Sequence, residues 1–225
     1  MNKKNILTAA VSLSLVACLS IGATLAYFTD KTDVKNNAFT TGNVDITLTD
    51  TSDSDKATVG KDGIVYDNVL PGDNLDKNVY VTVDKNSSAA YVGVFVSVDY
   101  NDAESGRPDS YDVMGLVNDA MMRQGTMNNW DQYYVNVGDT DGVLYVYNQV
   151  VDPDGTEDVV LDLFSDIQIP TTWDNSFASS QFAINVQAFA TQAENFSEGQ
   201  FIEMVDGTLT DANGNVIEFQ EFGNK

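Results

Sequence analysis

The chain has 225 residues, 34 acidic and 11 basic, for a formal charge of −23, with no histidine and one cysteine. A surface this acidic repels phosphate backbones and anionic lipid, which argues against any nucleic-acid role. Without histidine, Ser-His-Asp triads, Cys-His pairs and H-E-x-x-H zinc helices are all excluded.

The N-terminus reads as an export leader. Lys3-Lys4 precede an apolar run from Ile6 to about Ile21, and small residues follow at Gly22-Ala23-Thr24. Cleavage after Ala26 would make Ala26/Tyr27 the processing site and leave a chain that starts Tyr27-Phe28-Thr29-Asp30. Lys3 and Lys4 depart with the leader and no acidic residue does, so the remaining imbalance is larger still. Cys18 departs too, so residues 27–225 hold no thiol, disulfide or Cys-based metal site. Two other readings stay open. Leu15-Val16-Ala17-Cys18 has the form of a lipoprotein box, although apolar residues continue from Leu19 to Phe28. Ile6 to Ala26 also approaches membrane-spanning length, and an uncleaved leader would be the chain's only tie to a membrane.

Residues 27–38 are polar apart from Tyr27, Phe28, Val34 and Ala38, and read as a flexible arm. From Phe39 the pattern becomes that of strands. Val44, Ile46 and Leu48 face one way and Asp45, Thr47 and Thr49 the other. Leu70-Pro71-Gly72-Asp73 predicts a turn. Val79, Val81 and Val83 then alternate with polar residues, and a second run carries Val92, Val94, Val96 and Val98 with Tyr91 and Phe95 opposite, a strand expected to bury both faces. The short polar link between these two runs predicts a hairpin. Val113, Leu116, Val117, Ala120 and Met121 form one helical stripe within Ser110–Gln124, capped by Ser110 and ended by Gly125. Further strands are expected at Tyr133–Val137, Leu144–Val150, Val159–Phe164 and Phe182–Ala190. Asp141-Gly142, Pro153-Asp154-Gly155 and Ile169-Pro170 are read as the turns between them. Phe201–Val205 is ambiguous, and Asn213-Gly214 signals a tight hairpin. The fold expected is mainly β, a jelly-roll-like β-sandwich spanning 39–225 with one inserted helix around 110–124.

Three stretches, GATLAYFTDK with NNAFTTGNVDITLTD, Leu70-Pro71-Gly72-Asp73, and Phe182 to Ala188, resemble the TasA/camelysin (CalY) group. That resemblance implies export by a SipW-type signal peptidase and a place in biofilm-matrix fibres of Gram-positive bacteria, with an accessory matrix protein left open as a partner. Camelysin-type members are classed as metallopeptidases, which implies a cell-surface peptidase as the alternative; the missing histidine speaks against it, and no catalytic residue is assigned. A carboxylate pair could serve glycoside hydrolysis, but among 34 acids such spacing arises by chance. No cofactor is assigned either. Asp211, Asn213 and Asn215, around Gly214, are weak calcium candidates, with thinner ones at Asp139–Gly142 and Asp152–Gly155, since hairpin turns use the same residues. A monomeric, calcium-stabilised adhesion domain is therefore a third reading.

The leading expectation is a secreted homopolymer. An extended arm led by Tyr27, Phe28 and Val34 can add a strand to the sheet of the next copy. Arm and acceptor are different surfaces, so contacts run head to tail and need not close.

Overall fold

Inward-facing aliphatic residues set the architecture. Val79, Val81 and Val83 are buried in one run, Val92, Val94 and Val96 in the next, and Ile184, Val186, Ala188 and Ala190 in a third. Each run has the period of two that turns every second side chain to the same side of a strand. The computed structural model describes residues 38–41, 43–59, 63–100, 110–173, 181–194, 196–210, 214 and 216. Its strands are β1 Ala38–Thr41, β2 Ile46–Thr51, β3 Ala57–Val59, β4 Ile64–Tyr66, β5 Asn74–Val83, β6 Ala90–Tyr100, β7 Trp130–Val137, β8 Thr140–Tyr147, β9 Val159–Gln168 and β10 Phe182–Gln192. Two α-helices, α1 Ser110–Gln124 and α2 Glu198–Val205, complete it, with a 3-10 turn at Met127–Asn129.

The strands form two sheets, making the expected β-sandwich. The larger runs β3-β4-β10-β6-β8-β7, with β1 added on β10, and the smaller runs β2-β5-β9. One continuous core lies between them, joined by the buried stripe of α1. The outer face of the large sheet carries a second core, where α2 sets Phe201 and Val205 against Phe95, Leu144, Val146 and Phe189. That explains why β6 buries both faces, as its sequence predicts.

Both helices end as their sequences dictate. At the C-terminus of α1, Gly125 takes φ +77° while its amide donates to Met122 O and the Thr126 amide to Met121 O, a Schellman motif. α2 resolves the ambiguity at Phe201–Val205. Ser197 and Gln200 form a reciprocal capping box, and Phe201, Met204 and Val205 lie on one buried face. Leu70-Pro71-Gly72-Asp73 is a turn, as expected: the Asp73 amide donates to Leu70 O (3.0 Å), and Gly72 takes φ +89° at the position a type II turn reserves for glycine. The Asp73 carboxylate accepts from the Leu70 amide (2.6 Å) and from Lys56 Nζ.

Two local expectations fail. β5 and β6 do not form a hairpin: β5 pairs with β2 and β9, β6 with β10 and β8. A tight hairpin needs positive φ in its loop, and no residue of Asp84–Ala89 has one. Instead the link bonds to the segment before β2, Asp84 N to Asp45 O and Ser88 N to Asn43 O (both 2.9 Å), and so crosses between the sheets. Nor is Asp141-Gly142 a turn. The β7–β8 reversal is the two-residue Gly138-Asp139, with Gly138 at φ +63°. Gly142 lies inside β8, opposite Val135, where Phe95 approaches its backbone.

One charged pair sits inside the sandwich. Lys77 is in phase with Leu75, Val79, Val81 and Val83 and is wholly buried. Its Nζ lies 2.6 Å from Asp50 Oδ1 of β2. Beside it the Tyr66 hydroxyl donates to Asp76 O (2.9 Å). Burial raises the Tyr66 phenol pKa well above its ordinary value; the Ser52 hydrogen bond opposes this, and the negative charges of Asp50 and Asp76 add to it.

Candidate strand-acceptor edge

β10 is the spine of the large sheet. On one side it pairs with β6 over its whole length, from Phe182↔Tyr100 to Gln192↔Ala90. On the other, β4 takes only Phe182–Ile184 and β1 only Ala188–Thr191. Val186 and Gln187 thus have no strand partner on that side among the described residues, while Gly63, just before β4, lies against Asn185. This gap is about 7 Å of strand. Its chemistry is a row of backbone donors and acceptors able to take an extended segment.

β1 is what makes this edge distinctive. It runs parallel to β10, whereas the other paired strands described are antiparallel. Parallel neighbours within one domain need a crossover connection; here the connection from β1 to β10 is nearly the entire domain. Because Ala38 opposes Ala188, the line of β1 extended upstream passes along Gln187 and then Val186.

Two other edges, β9 and β7, carry side-chain bonds. At β9 the pairing with β5 slips between Asp76 and Val79, leaving the Ser165 amide to Gln124 Oε1 (2.7 Å). Thr126 Oγ1 donates to Leu163 O (2.6 Å) and Trp130 Nε1 to Asp162 O (3.1 Å). On β7 the Asn136 amide donates to Asp206 Oδ1 (2.7 Å), which follows α2. Edges occupied in this way resist foreign strands.

The residues singled out from sequence fall elsewhere. Ala26, Tyr27, Phe28 and Val34 lie outside the described residues, as do Asp211, Asn213 and Asn215. Ala38, the last residue of the expected arm, is already in β1. Gly214 takes φ +82° and Thr210 bridges Val216, so a reversal does occur at the Asn213-Gly214 signal. Of the thinner calcium candidates, Asp154 holds a local turn: its Oδ1 accepts from the Thr156 amide and hydroxyl, bonds that hold its carboxyl below the usual range. Asp141 accepts from Asn136 Nδ2 (2.9 Å). A cavity of about 600 Å³ opens between α1 and the β7–β8 hairpin, bordered by Tyr111, Tyr134, Asp141 and Asp206, and both carboxylates hold Asn136. Among the described residues no three His, Cys, Asp or Glu side chains converge as a metal site would require.

Sequence reasoning did not find the gap on β10, because an unpaired edge is a property of distant pairings. It also passed over Lys77 and Asp50, though a signal existed: each falls in the inward phase of its strand.

No curated protein and no solved structure matches the chain. A family model described as camelysin metallo-endopeptidase matches residues 2–133, more than half of the length. The chain therefore belongs to the camelysin metallo-endopeptidase family.

Proposed function

We propose that this protein is a secreted structural subunit that polymerises head to tail by strand exchange into fibres at the cell surface or in the extracellular matrix of a Gram-positive bacterium. The observation that carries this reading is the outer side of β10, which among the described residues lacks a strand partner at Val186 and Gln187, in line with a short parallel strand. In the register of β1, an upstream segment entering the gap would set Asn37 against Gln187 and Asn36 against Val186. Taken from a neighbouring copy, it would make the same bonds in trans. Tyr27, Phe28 and Val34 would then add apolar burial that backbone pairing lacks. Residues 1–26 act as the leader, 27–38 as the donor arm and 39–225 as the acceptor domain. While the leader is attached the arm is tethered; removal at Ala26/Tyr27 by a SipW-type signal peptidase frees it.

N-terminal sequencing and negative-stain imaging of one secreted sample test this together. The expected result is a chain beginning at Tyr27 that forms filaments. Deleting Tyr27–Asn37 should leave a folded, soluble monomer, and filaments from the deleted chain would overturn the donor role.

The family's description favours a second reading, a surface metallo-endopeptidase. The donor set does not fit a zinc site of that kind: the chain has no histidine, and no acidic trio converges among the described residues. Casein cleavage that a chelator abolishes would establish the peptidase over the structural reading.

A further inference from the structure

Lys77 and Asp50 form an ion pair that the fold compensates poorly. Lys77 is 0% exposed and Asp50 7%, and they meet at 2.6 Å. An ammonium has three donors and a carboxylate two acceptor oxygens. Among the described residues the contact between Nζ and Oδ1 is the one side-chain hydrogen bond that either residue makes. A buried ion pair offsets its desolvation only when its remaining protons and lone pairs are also satisfied. Here they are not.

The strands hold the two groups in a fixed relation. Asp50 pairs with Val79 across β2 and β5, so Lys77 is its diagonal neighbour on the inward face. Ile46 and Leu48 precede Asp50 on that face, and Leu75, Val79 and Val81 flank Lys77, all buried. With Nζ at 2.6 Å from Oδ1, the carboxyl carbon lies within about 3.5 Å of the nitrogen, a near-attack distance. The Tyr66 phenol, kept protonated by burial, is close enough to sense the Asp50 charge.

We propose that Lys77 and Asp50 condense into an intramolecular isopeptide bond joining β5 to β2. The proton shared in the hydrogen bond passes from Nζ to the carboxylate, giving an amine and a carboxylic acid. The nitrogen lone pair attacks Cγ, the N–C bond forms and the C–OH bond breaks. The hydroxyl leaves with one amine proton as water. The reaction is a dehydration with no change of oxidation state, so it needs no oxidant, metal or cofactor. Proximity replaces activation, and the dry core withholds the water that hydrolysis would need. Two uncompensated charges become one neutral amide. The link closes a loop between residues 27 positions apart and constrains the unfolded chain as a disulfide would, in a domain expected to have no thiol. The inference stands apart from polymerisation: it concerns each subunit alone.

Intact mass and tryptic mapping of the secreted protein test it. The chain should be lighter by one water than its sequence requires. Trypsin should fail at the acylated Lys77, leaving a branched fragment in which residues 36–56 are joined to 62–85. Lys77→Met should restore the missing water. Wild-type mapping alone is decisive even if that variant does not fold. A full mass in folded protein that persists on long incubation, with free fragments 62–77 and 78–85, would overturn the proposal. So would a water loss that maps to succinimide formation at another aspartate.

Discussion

Gly142 lies directly beneath Phe95: a Cβ built on Gly142 would come 2.5 Å from Phe95 Cε2 and 2.5 Å from Val96 O. The glycine is there for room, since its φ is not among the positive ones. Phe95 belongs to the outer core under α2, and Val96 to the inner core. Gly142→Ala should therefore force β6 and β8 apart at the centre of the large sheet. The expected loss is about 1–3 kcal/mol, read by urea denaturation. Gly155→Ala is the comparison: its φ is +81° with nothing within 4 Å, so only backbone strain is added, about 1 kcal/mol.

The sandwich itself was legible because its signal is local. Val44, Ile46 and Leu48 are buried while Asp45 and Thr47 are exposed, and Phe182, Ile184, Val186, Ala188 and Ala190 share the inner face. The stripe of α1 and its glycine stop are equally local. α2 could have been found from Ser197 and Gln200, whose spacing is that of a capping box before Phe201. Sheet partnership was not legible. β5 and β6 look like a hairpin until the Asp84–Ala89 link is seen to bond elsewhere, and Asp141-Gly142 looks like a turn until Phe95 is placed over it. The β10 gap belongs with these. Among the described residues it exists because the β4 pairing stops at Ile184 and the β1 pairing starts at Ala188, and neither limit is written in β10.

Gln124 covers the β9 edge with one amide. Its Oε1 accepts from the Ser165 amide and its Nε2 donates to Asp166 Oδ2 (3.1 Å). Gln124→Ala should cost about 1–2 kcal/mol, because the Ser165 amide loses its acceptor at a bulge. Arg123→Ala removes an ion pair to Asp166, but Arg123 is 38% exposed, so its loss should stay below about 1 kcal/mol. Denaturation midpoints rank the two, and equal losses would contradict edge capping by Gln124.

Asp73 predicts an acid-side dependence of stability. Partial burial pushes its carboxyl pKa up, but the Lys56 hydrogen bond and charge, with the Leu70 amide, outweigh this and hold it below the ordinary value. The unfolded chain thus binds this proton more tightly than the native one. Its contribution is fully present above the unfolded carboxylate pKa and is lost as pH falls through the folded value. Asp73→Asn should make stability less sensitive to pH between about 5 and 3 than in the wild type. Denaturant titrations at several pH values would show it, and parallel curves for the two proteins would contradict it.

Ala38 and Ala188 are direct partners across the parallel β1–β10 pair, and strand neighbours at this separation suit a disulfide. The lone natural cysteine, Cys18, lies within the residues proposed as the leader, so Ala38→Cys with Ala188→Cys introduces a clean pair. If β1 and the arm upstream of it exchange between copies, oxidising the separated monomer should lock β1 onto its own β10. Such a protein should remain monomeric at concentrations where the reduced form makes filaments, and reduction should restore them. Oxidation after assembly should instead give a ladder of covalent oligomers on a denaturing gel, since the paired cysteines then belong to different copies. Filaments forming equally well from the locked monomer would show that β1 stays at home, and the acceptor would have to be sought on another edge.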